Sequence, residues 1–393
     1  MNIYFDNAAT TPVDPEVVEA MLPYFIEKFG NPSSIHSFGQ EAESALEDSR
    51  ETIAQTLGCK SKEVFFTSGA TESNNIAILG LAEQFKDKKA HFITSKIEHP
   101  SVLETFQELK KKGFEVDFVK VDNKGLIKLD ELKKLIKKNT VLISVMFANN
   151  EIGTVQPIKE IGDLVKEERE KRKSKDLPIY FHTDAAQAFN YIPCKVDYLG
   201  CDLLTVSGQK IFGPKGVSML YVRSGTKISP ITFGGHQEGG LRPGTINVAL
   251  NVALAKAMEI ADRDREKNIN KVKSLTDRIW QGIQKIENVQ LNGDEENRLP
   301  NNLNVSFKNA EGESILMMLD MEGIAVSTGS ACSSGSLEPS HVLTAMNIKP
   351  EWSHGSLRIT LGRFNTEVEV NYFLKVLPQV IEKLREIAPN SGS

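Results

Sequence analysis

Short runs of branched and aromatic residues alternate with amphipathic stretches between about residues 63 and 222. This alternation is typical of a mainly parallel sheet whose strands are joined by crossover helices. It predicts an α/β fold in which a large domain, residues 16–259, contains a mainly parallel mixed sheet flanked by helices. The predicted strands are Glu63–Thr67, His91–Thr94, Val116–Val121, Val141–Phe147, Ile179–Thr183, Leu203–Val206 and Val217–Val222.

A long helical pattern follows the predicted sheet. It runs from Val248 to Ile286 with almost no glycine or proline, and a continuous helix of that length would measure roughly 58 Å. A helix of this length is expected to bridge two domains. The pattern predicts a smaller α+β C-terminal domain, assembled from residues 1–15 and 260–393. Its predicted strands are Asn302–Phe307, Gly323–Ser327 and Ser356–Leu361, and its predicted helices are Gly312–Met321 and Glu367–Ile387.

Composition and charge exclude several classes of partner. The 393 residues include 47 Lys and Arg against 52 Asp and Glu, a net charge of -5. No large basic surface is therefore expected to attract nucleic acid. No stretch reaches the roughly 18 apolar residues of a membrane span, and the opening residues lack a secretory leader pattern. The four cysteines are scattered, which indicates a reducing compartment and predicts a cytoplasmic protein.

Two chemically distinctive residues follow predicted strands. Lys210 lies in a glycine-flanked turn after the strand that ends at Val206, and ligands bind at the carboxyl ends of such strands. A desolvated lysine can lose its proton and form a Schiff base, although a lysine in isolation is more often a surface residue. Asp184 ends another strand, where a carboxylate could keep the ring nitrogen of pyridoxal phosphate protonated. The alternative role of Asp184 is a helix N-cap.

Two further segments have the composition of a cofactor site. Small and hydroxylic residues in 67–75 follow a strand and open a helix, whose N-terminal N–H groups favour a phosphate. A capping box gives a similar string. His99 lies at a strand-to-helix turn, where its imidazole could stack on an aromatic ring. A lone histidine at such a turn is more often structural.

These segments, in this order, resemble a known family. With the strings at residues 4–12, 30–34, 149–153, 234–245 and 327–343, the chain resembles a cysteine desulfurase of the NifS/IscS type. That type lies in the class V branch of fold-type I pyridoxal phosphate enzymes, and the likeness extends from residue 3 to about residue 375. The segment around Cys332 distinguishes desulfurases from most other class V aminotransferases.

The resemblance implies a fold-type I transferase that uses pyridoxal 5'-phosphate and no metal. It implies that Lys210 holds the cofactor and moves protons, that Asp184 pairs with the ring nitrogen, and that His99 stacks on the ring. Thr245 would reach the phosphate from the other subunit, which implies a homodimer. Arg358 would bind the substrate carboxylate. The other implied site residues are Asn150 and Gln187 near the phenolic oxygen, with Asn150 also near substrate, and Ala70, Thr71, Ser207 and Gln209 near the phosphate.

Cys332 is the remaining implied catalytic residue. A free cysteine is usually a small buried hydrophobe, but this one lies in a polar loop, about residues 326–337, without apolar periodicity. The resemblance implies that L-cysteine becomes L-alanine while its sulfur passes to Cys332 as a persulfide and then to an acceptor such as an iron–sulfur scaffold. The other three cysteines, Cys59, Cys194 and Cys201, are interpreted as structural.

Two departures from the family pattern keep other functions in view. Gln209 replaces a common histidine, and Gly239 replaces a common arginine. A selenocysteine lyase or another class V enzyme is the nearest alternative, since selenium leaves more readily and Cys332 would matter less. A weakly catalytic sulfur-relay partner is a third hypothesis.

Overall fold

The computed structural model describes residues 2–328 and 340–387, so Cys332 lies outside the described residues. Helices and strands alternate through the first 222 residues. The strands are β1 Ile3–Tyr4, β2 Val64–Thr67, β3 His91–Ser95, β4 Glu115–Val119, β5 Thr140–Ser144, β6 Tyr180–Asp184, β7 Leu203–Ser207, β8 Ser218–Val222, β9 Val289–Asn292, β10 Asn302–Phe307, β11 Ile324–Ala325 and β12 Ser356–Thr360.

The helices surround these strands. They are α1 Pro15–Met21, α2 Pro23–Ile26, α3 Ser37–Leu57, α4 Ala70–Gln84, α5 Pro100–Lys111, α6 Leu129–Leu135, α7 Ile158–Lys171, α8 Val196–Leu199, α9 Val248–Arg263, α10 Arg265–Ile283, α11 Gly312–Met321, α12 His341–Ala345, α13 Pro350–Ser353 and α14 Glu367–Ile387. Short 3₁₀ turns lie at Ser61–Glu63, Lys86–Lys88, Gly208–Lys210 and Gln237–Gly240.

Seven strands form the main sheet in the order β2-β8-β7-β6-β5-β3-β4. β8 is antiparallel to both of its neighbours, and the other six strands share one direction. All seven predicted strands are present, so the α/β fold with a mainly parallel mixed sheet is confirmed. The predicted strand Val141–Phe147 ends earlier, at Ser144, although the N–H groups of residues 145 and 147 still bond to carbonyls of β6.

A second group of strands belongs to the C-terminal part of the chain. β10 lies between β9 and β12 in an antiparallel sheet, while β1 and β11 form a separate parallel pair. The sequence analysis did not predict β9. The predicted strand Gly323–Ser327 is wrong in length, because only Ile324–Ala325 pairs as a strand, next to the N-terminal β1.

The apolar core is divided in the same way. Two clusters pack on the two faces of the main sheet, and a third contains Ile3 and Phe5 together with buried residues of β10, α11, β12 and α14. The buried residue Val272 of α10 belongs to a main-sheet cluster, whereas Leu275 belongs to the third cluster. The proposed domain division at residues 259 and 260 thus falls near the helix in which packing passes from one core to the other. No helix in the described part of the chain is long and apolar enough to cross a membrane.

The single long helix expected over Val248–Ile286 is wrong in one respect. Asp264 leaves helical geometry, with φ -101° and ψ 11°, and separates α9 from α10. The next residue, Arg265, is buried and donates hydrogen bonds to the carbonyls of Phe189 and Ile192. These long-range contacts fix the break at a position with neither glycine nor proline.

A buried ion pair ties the segment 234–245 to the edge of the main sheet. Glu238 has φ 48°, and its carboxylate accepts two hydrogen bonds of 3.0 Å from Arg50 on α3 and one of 2.9 Å from the N–H of Phe66. The Glu238 side chain is 1% exposed and that of Arg50 is 12% exposed. The same guanidinium lies 4.9 Å from the centre of the Phe66 ring. This pair therefore fixes the position of a segment that also carries Thr245.

Replacing Arg50→Ala should lower the free energy of unfolding by about 3–5 kcal/mol, because the buried Glu238 carboxylate would lose its partner. Urea unfolding followed by circular dichroism measures this. The matched control is Arg278→Ala, whose pair with Glu367 is 3.4 Å long and exposed on both sides. Arg278→Ala should lower the free energy of unfolding by less than about 1 kcal/mol. Equal costs for the two variants would contradict the structural role of the buried pair.

Candidate active site

The carboxyl ends of β6 and β7 bring the two central predicted residues to one edge of the sheet. Asp184 is the last residue of β6, and Lys210 lies three residues after the end of β7, in the turn Gly208–Lys210. The two strands are parallel neighbours, with Asp184 opposite Thr205. Because parallel strands end on the same side of a sheet, both side chains lie at the edge where ligands bind in such folds.

The Asp184 carboxylate is buried and held by two neutral donors. One oxygen accepts from the N–H of Ala186 at 2.9 Å, and the other accepts from Asn74 Nδ2 at 2.7 Å. The helix that follows β6 is α8, which begins at Val196 and has Lys195 as its N-cap, so Asp184 does not act as a helix N-cap. Only the bond to Ala186 is local, and the bond to Asn74 reaches across the fold.

His99 combines a structural and a site position. It is the N-cap of α5, and its Nδ1 accepts from the N–H of Ser101 at 3.1 Å and lies 2.8 Å from Ser101 Oγ. Burial lowers the pKa of His99 below its usual 6.5, Asp184 opposes that effect, and Lys210 adds to it. The imidazole is therefore neutral at pH 7, and a neutral ring suits stacking on another aromatic ring.

The start of α4 has the character of an anion site. Gly69 is the N-cap and, among the described residues, no side chain caps this helix. A methyl group added to Gly69 would enter open space, with no described atom within 4 Å. The N–H groups of Ala70 and Thr71 lie in the first turn, where the helix dipole favours a phosphate. Glu72 accepts from the N–H of Ser68, but this contact is not a complete capping box.

The N-terminal segment passes over the end of β7. Lys210 Nζ donates to the carbonyls of Ala8 at 2.8 Å and Ala9 at 2.6 Å, and Gln187 Nε2 also donates to Ala8, at 2.9 Å. Lys210 and Gln187 therefore bond to the same backbone carbonyl, that of Ala8. The sequence predicted both side chains but not the carbonyl that joins them.

The other predicted phosphate residues are dispersed. Ser207 is buried opposite Ser218, and the carbonyl of Gln209 accepts from the N–H and hydroxyl of Thr11 while its side chain is half-buried. Thr245 is exposed and borders a groove of about 200 Å³ that is also lined by Ser68. Within one chain, Thr245 lines this groove together with the strand end before α4, Thr67 and Ser68.

Arg358 on β12 is a buried cation next to the same region. Its Nη2 donates to Asp6 at 2.8 Å and its Nη1 donates to the carbonyl of Asn150 at 3.1 Å. The side chain is 5% exposed, and its Nε has no hydrogen-bond partner among residues 2–328 and 340–387. A guanidinium with a spare buried donor suits recognition of a carboxylate. Asn150 and Arg358, the two predicted substrate residues, are therefore in contact.

Two buried glutamates near the site were not predicted. Burial raises the pKa of Glu98, next to His99, to about 8, although Ser95 and the N–H of Met146 donate to its carboxyl. Burial also raises the pKa of Glu151, next to Asn150, to about 7. Their only sequence signal is adjacency to predicted site residues, since burial of a glutamate cannot be deduced from the local pattern.

The described residues at the two ends of segment 329–339 are held by this region. Ser327 exchanges backbone hydrogen bonds with Arg358, and the Ser340 hydroxyl donates to the Glu151 carboxylate. Cys332 itself lies outside the described residues. Of the other cysteines, Cys194 and Cys201 are fully buried, and burial raises the pKa of both thiols, which agrees with a structural role.

These residues fit pyridoxal phosphate by their donors and acceptors. The buried carboxylate of Asp184 suits the ring nitrogen, and the neutral imidazole of His99 suits the ring face. The Lys210 amine suits the aldehyde, and the uncapped start of α4 suits the phosphate. Among residues 2–328 and 340–387, no cluster of His, Cys, Asp or Glu side chains is arranged to hold a metal ion.

Comparisons with known proteins extend along nearly the whole chain. Residues 3–373 match the family described as Aminotransferase class-V. The chain is 53% identical over 388 residues to the cysteine desulfurase IscS of Dictyoglomus turgidum, covering 98% of this chain and 96% of that protein. A solved NifS-like protein superposes with a TM-score of 0.91 at 40% identity, covering 98% of this chain and 100% of that one. SspA in complex with cysteine superposes with a TM-score of 0.81 at 37% identity, covering 93% of this chain and 100% of that one.

The replacement Glu151→Gln should make stability less dependent on pH. The folded protein keeps a proton on Glu151 up to about pH 7, whereas the unfolded chain loses it near pH 4.5. Raising the pH through this window therefore favours unfolding, by up to about 1.4 kcal/mol per pH unit. Urea unfolding at pH 5, 6 and 7 should show the variant gaining stability relative to the parent as pH rises. The exposed Glu83→Gln is the control, and parallel curves for parent and Glu151→Gln would refute the assignment.

Proposed function

The chain belongs to the aminotransferase class-V family, and we propose that it is a pyridoxal-phosphate-dependent cysteine desulfurase that supplies sulfur for iron–sulfur cluster or thio-cofactor biosynthesis. Full-length relatives named cysteine desulfurase and a solved NifS-like protein confirm the resemblance found in the sequence. They favour this activity over the selenocysteine lyase and sulfur-relay alternatives. The observation that carries the proposal is the convergence of Lys210, Asp184 and His99 beside the uncapped start of α4.

Each residue of the cofactor site has a proposed task. When bound, pyridoxal phosphate supplies the electron sink for negative charge that develops on the substrate carbon. Lys210 would hold the cofactor and transfer protons through Nζ, which the carbonyls of Ala8 and Ala9 orient. Asp184 would face the ring nitrogen, and His99 would cover the ring face as a neutral imidazole. Gln187 and Asn150 would lie near the phenolic oxygen.

The phosphate has a second proposed set of partners. The first turn of α4, with Ala70 and Thr71, supplies N–H groups and a favourable dipole. Ser207 and Gln209 lie at the end of β7 and would add hydroxyl and amide donors. Because the Gln209 side chain is neutral, its proposed contribution to phosphate binding is a hydrogen bond without a charge.

Substrate binding is assigned to Arg358 and Asn150. SspA, a structural relative, is named as a complex with cysteine, which supports an amino-acid substrate here. The Arg358 guanidinium is buried and already oriented by Asp6 and the Asn150 carbonyl. Its remaining donors would bind the carboxylate of L-cysteine, so little side-chain entropy is lost when substrate binds.

The sulfur step balances without an external oxidant. The carbon–sulfur bond of L-cysteine breaks, and the carbon takes a proton and an electron pair to give L-alanine. The released sulfur forms a sulfur–sulfur bond with the Cys332 thiol, which yields a persulfide. A thiol acceptor for that sulfur, proposed to be on an iron–sulfur scaffold, then regenerates Cys332. A cytoplasmic location is part of this proposal, since the thiol must stay reduced.

A homodimer is proposed from an exposed apolar surface. Phe25, Ile26, Phe29 and Ile35 are 52%, 75%, 65% and 93% exposed in the single chain. A groove of about 350 Å³ joins Phe25 and Phe29 to Thr245. Pairing of two chains over this surface would bury the apolar side chains, and it would bring Thr245 to the phosphate of the neighbouring site.

The central experiment measures products from purified protein loaded with pyridoxal phosphate. With L-cysteine and a reductant, it should release alanine and sulfide in equal amounts. Lys210→Ala should abolish both products, because no other described amine is placed to hold the cofactor. The control Lys215→Ala changes a lysine in the same loop. Absence of both products from the parent protein would refute the desulfurase assignment.

Cys332→Ser should separate cofactor chemistry from sulfur transfer. The variant should keep the absorbance of bound cofactor and its spectral response to cysteine, since those steps use other residues. Transfer of sulfur to an acceptor thiol should be lost. Mass spectrometry of the parent after cysteine treatment should find the extra sulfur on the Cys332 peptide. Sulfur found on the buried Cys194 or Cys201 instead would contradict the assignment.

Arg358→Ala should raise the KM for cysteine, because the guanidinium binds the carboxylate in the ground state as well as in the transition state. Loss of a charged hydrogen-bonded contact is worth roughly 1.5–3 kcal/mol, or about ten- to a hundredfold in kcat/KM. Arg358→Lys should recover part of this effect, since it restores the charge but not the planar fork. Unchanged kinetics in both variants would assign the carboxylate to another cation, such as Arg242.

A further inference from the structure

Asn74 joins the two groups that the proposed function places against the cofactor ring. It is fully buried on α4, and its Nδ2 donates to Asp184 at 2.7 Å and to Ser101 Oγ at 2.9 Å. Ser101 Oγ in turn lies 2.8 Å from His99 Nδ1. We propose that Asn74 is a positioning residue that couples Asp184 to His99 through Ser101, an inference that rests on the proposed function.

The orientation of the Asn74 amide follows from its partners. If the amide were turned, its oxygen would face a carboxylate oxygen of Asp184 at 2.7 Å, and two acceptors would oppose each other. Nδ2 must therefore face Asp184, and its second hydrogen points to Ser101. The amide oxygen has no hydrogen-bond partner among the described residues. Both N–H donors of Asn74 are therefore used, while its buried amide oxygen is unpaired. Leaving an acceptor unpaired costs free energy, which is consistent with a position selected for its two donors.

The direction of the remaining hydrogen bonds follows in the same way. The N–H of Ser101 donates to His99 Nδ1 at 3.1 Å, so this nitrogen accepts. Ser101 Oγ, which accepts from Asn74, therefore donates its own hydrogen to the same nitrogen. His99 Nδ1 is therefore an acceptor, and the ring proton lies on Nε2. A proton added to Nδ1 would oppose the N–H of Ser101 and force the Ser101 hydroxyl to turn from donor to acceptor, so the network opposes protonation of His99.

The charged groups around His99 affect its protonation in opposite directions. Asp184 faces it from β6 and favours the imidazolium form, whereas Lys210 after β7 and His341 of α12 oppose that form. Glu98 precedes it, and burial raises the pKa of that carboxyl to about 8. Without Asn74, the negative charge of Asp184 would favour a proton on His99 more strongly. With Asn74, that charge stays directed toward the ring nitrogen of the cofactor.

The test measures the titration of His99 directly. Full-length protein labelled with ¹⁵N-histidine is studied with bound pyridoxal phosphate and after its removal, and His99 is identified by its absence in His99→Gln. The parent should show the Nε2–H tautomer and a pKa below the usual 6.5 in the cofactor-free protein. Asn74→Ala should raise that pKa by about half a pH unit or more, the size of one lost neutral hydrogen bond.

Two further variants make the result specific. Ser101→Ala breaks the connection but keeps the bond from Asn74 to Asp184, so it should shift His99 while weakening pyridoxal phosphate binding less than Asn74→Ala does. Asn75→Ala removes a neighbouring amide that donates to the Thr71 carbonyl, and it should leave the His99 titration unchanged. The proposal is overturned if the parent carries the proton on Nδ1, or if Asn74→Ala and Asn75→Ala titrate alike. Should Asn74→Ala not fold, an unshifted His99 in Ser101→Ala overturns it equally.

These readouts separate the inference from the proposed function. The titration of His99 in cofactor-free protein does not depend on cysteine turnover. If Asn74→Ala shifts the pKa of His99 but the parent protein makes no alanine, the role of Asn74 is retained and the desulfurase assignment is rejected. In active protein, Asn74→Ala should lower kcat while the KM for cysteine stays near the parental value, because Arg358 is unaffected.

Discussion

The N-terminal segment, residues 3–14, connects the two parts of the structure on which the site depends. Its first residues pair with β11, and Asp6 forms an ion pair of 2.8 Å with Arg358 on β12. Two residues later, the carbonyl of Ala8 accepts from Lys210 at the end of β7. The proposed carboxylate-binding guanidinium and the proposed cofactor amine are therefore held by neighbouring residues of one segment. Asp6 and Ala8 are two residues apart, so the backbone limits how far Arg358 and Lys210, their partners, can move relative to each other.

The sequence predicts those parts of the fold that local pattern determines. The five inner strands of the main sheet, β3, β5, β6, β7 and β8, are buried at every residue, so they appear in the sequence as largely apolar runs. The break at Asp264 has no such local signal, because it depends on the Arg265 guanidinium bonding to carbonyls more than 70 residues earlier. β9 is also weakly marked, since only its last residue, Asn292, is buried. Long-range partners and partial burial thus account for both differences.

The same distinction applies to the site. Asp184 and Lys210 could be predicted, because the direction of parallel strands brings their ends together whatever the details of packing. Asn74 could not, since its partner Asp184 lies 110 residues away and nothing in the string 73–75 marks the middle residue. Glu151 bonds to Ser340 across 189 residues. The proposed reactive residues could therefore be predicted from the sequence pattern, whereas the proposed positioning residues are identified only by long-range contacts in the structure.

Burial keeps two ionisable side chains around the proposed cofactor site uncharged at pH 7. It lowers the pKa of His182, on the same strand as Asp184, to about 4, and raises that of Glu98 to about 8. At pH 7 the first is neutral and the second mostly protonated. The donors on Asp184, Asn74 and the N–H of Ala186, are neutral as well. In a site of low dielectric constant, Asp184 would therefore attract a cation at the ring nitrogen of the proposed cofactor more strongly than it would in water, and this attraction would keep the ring protonated.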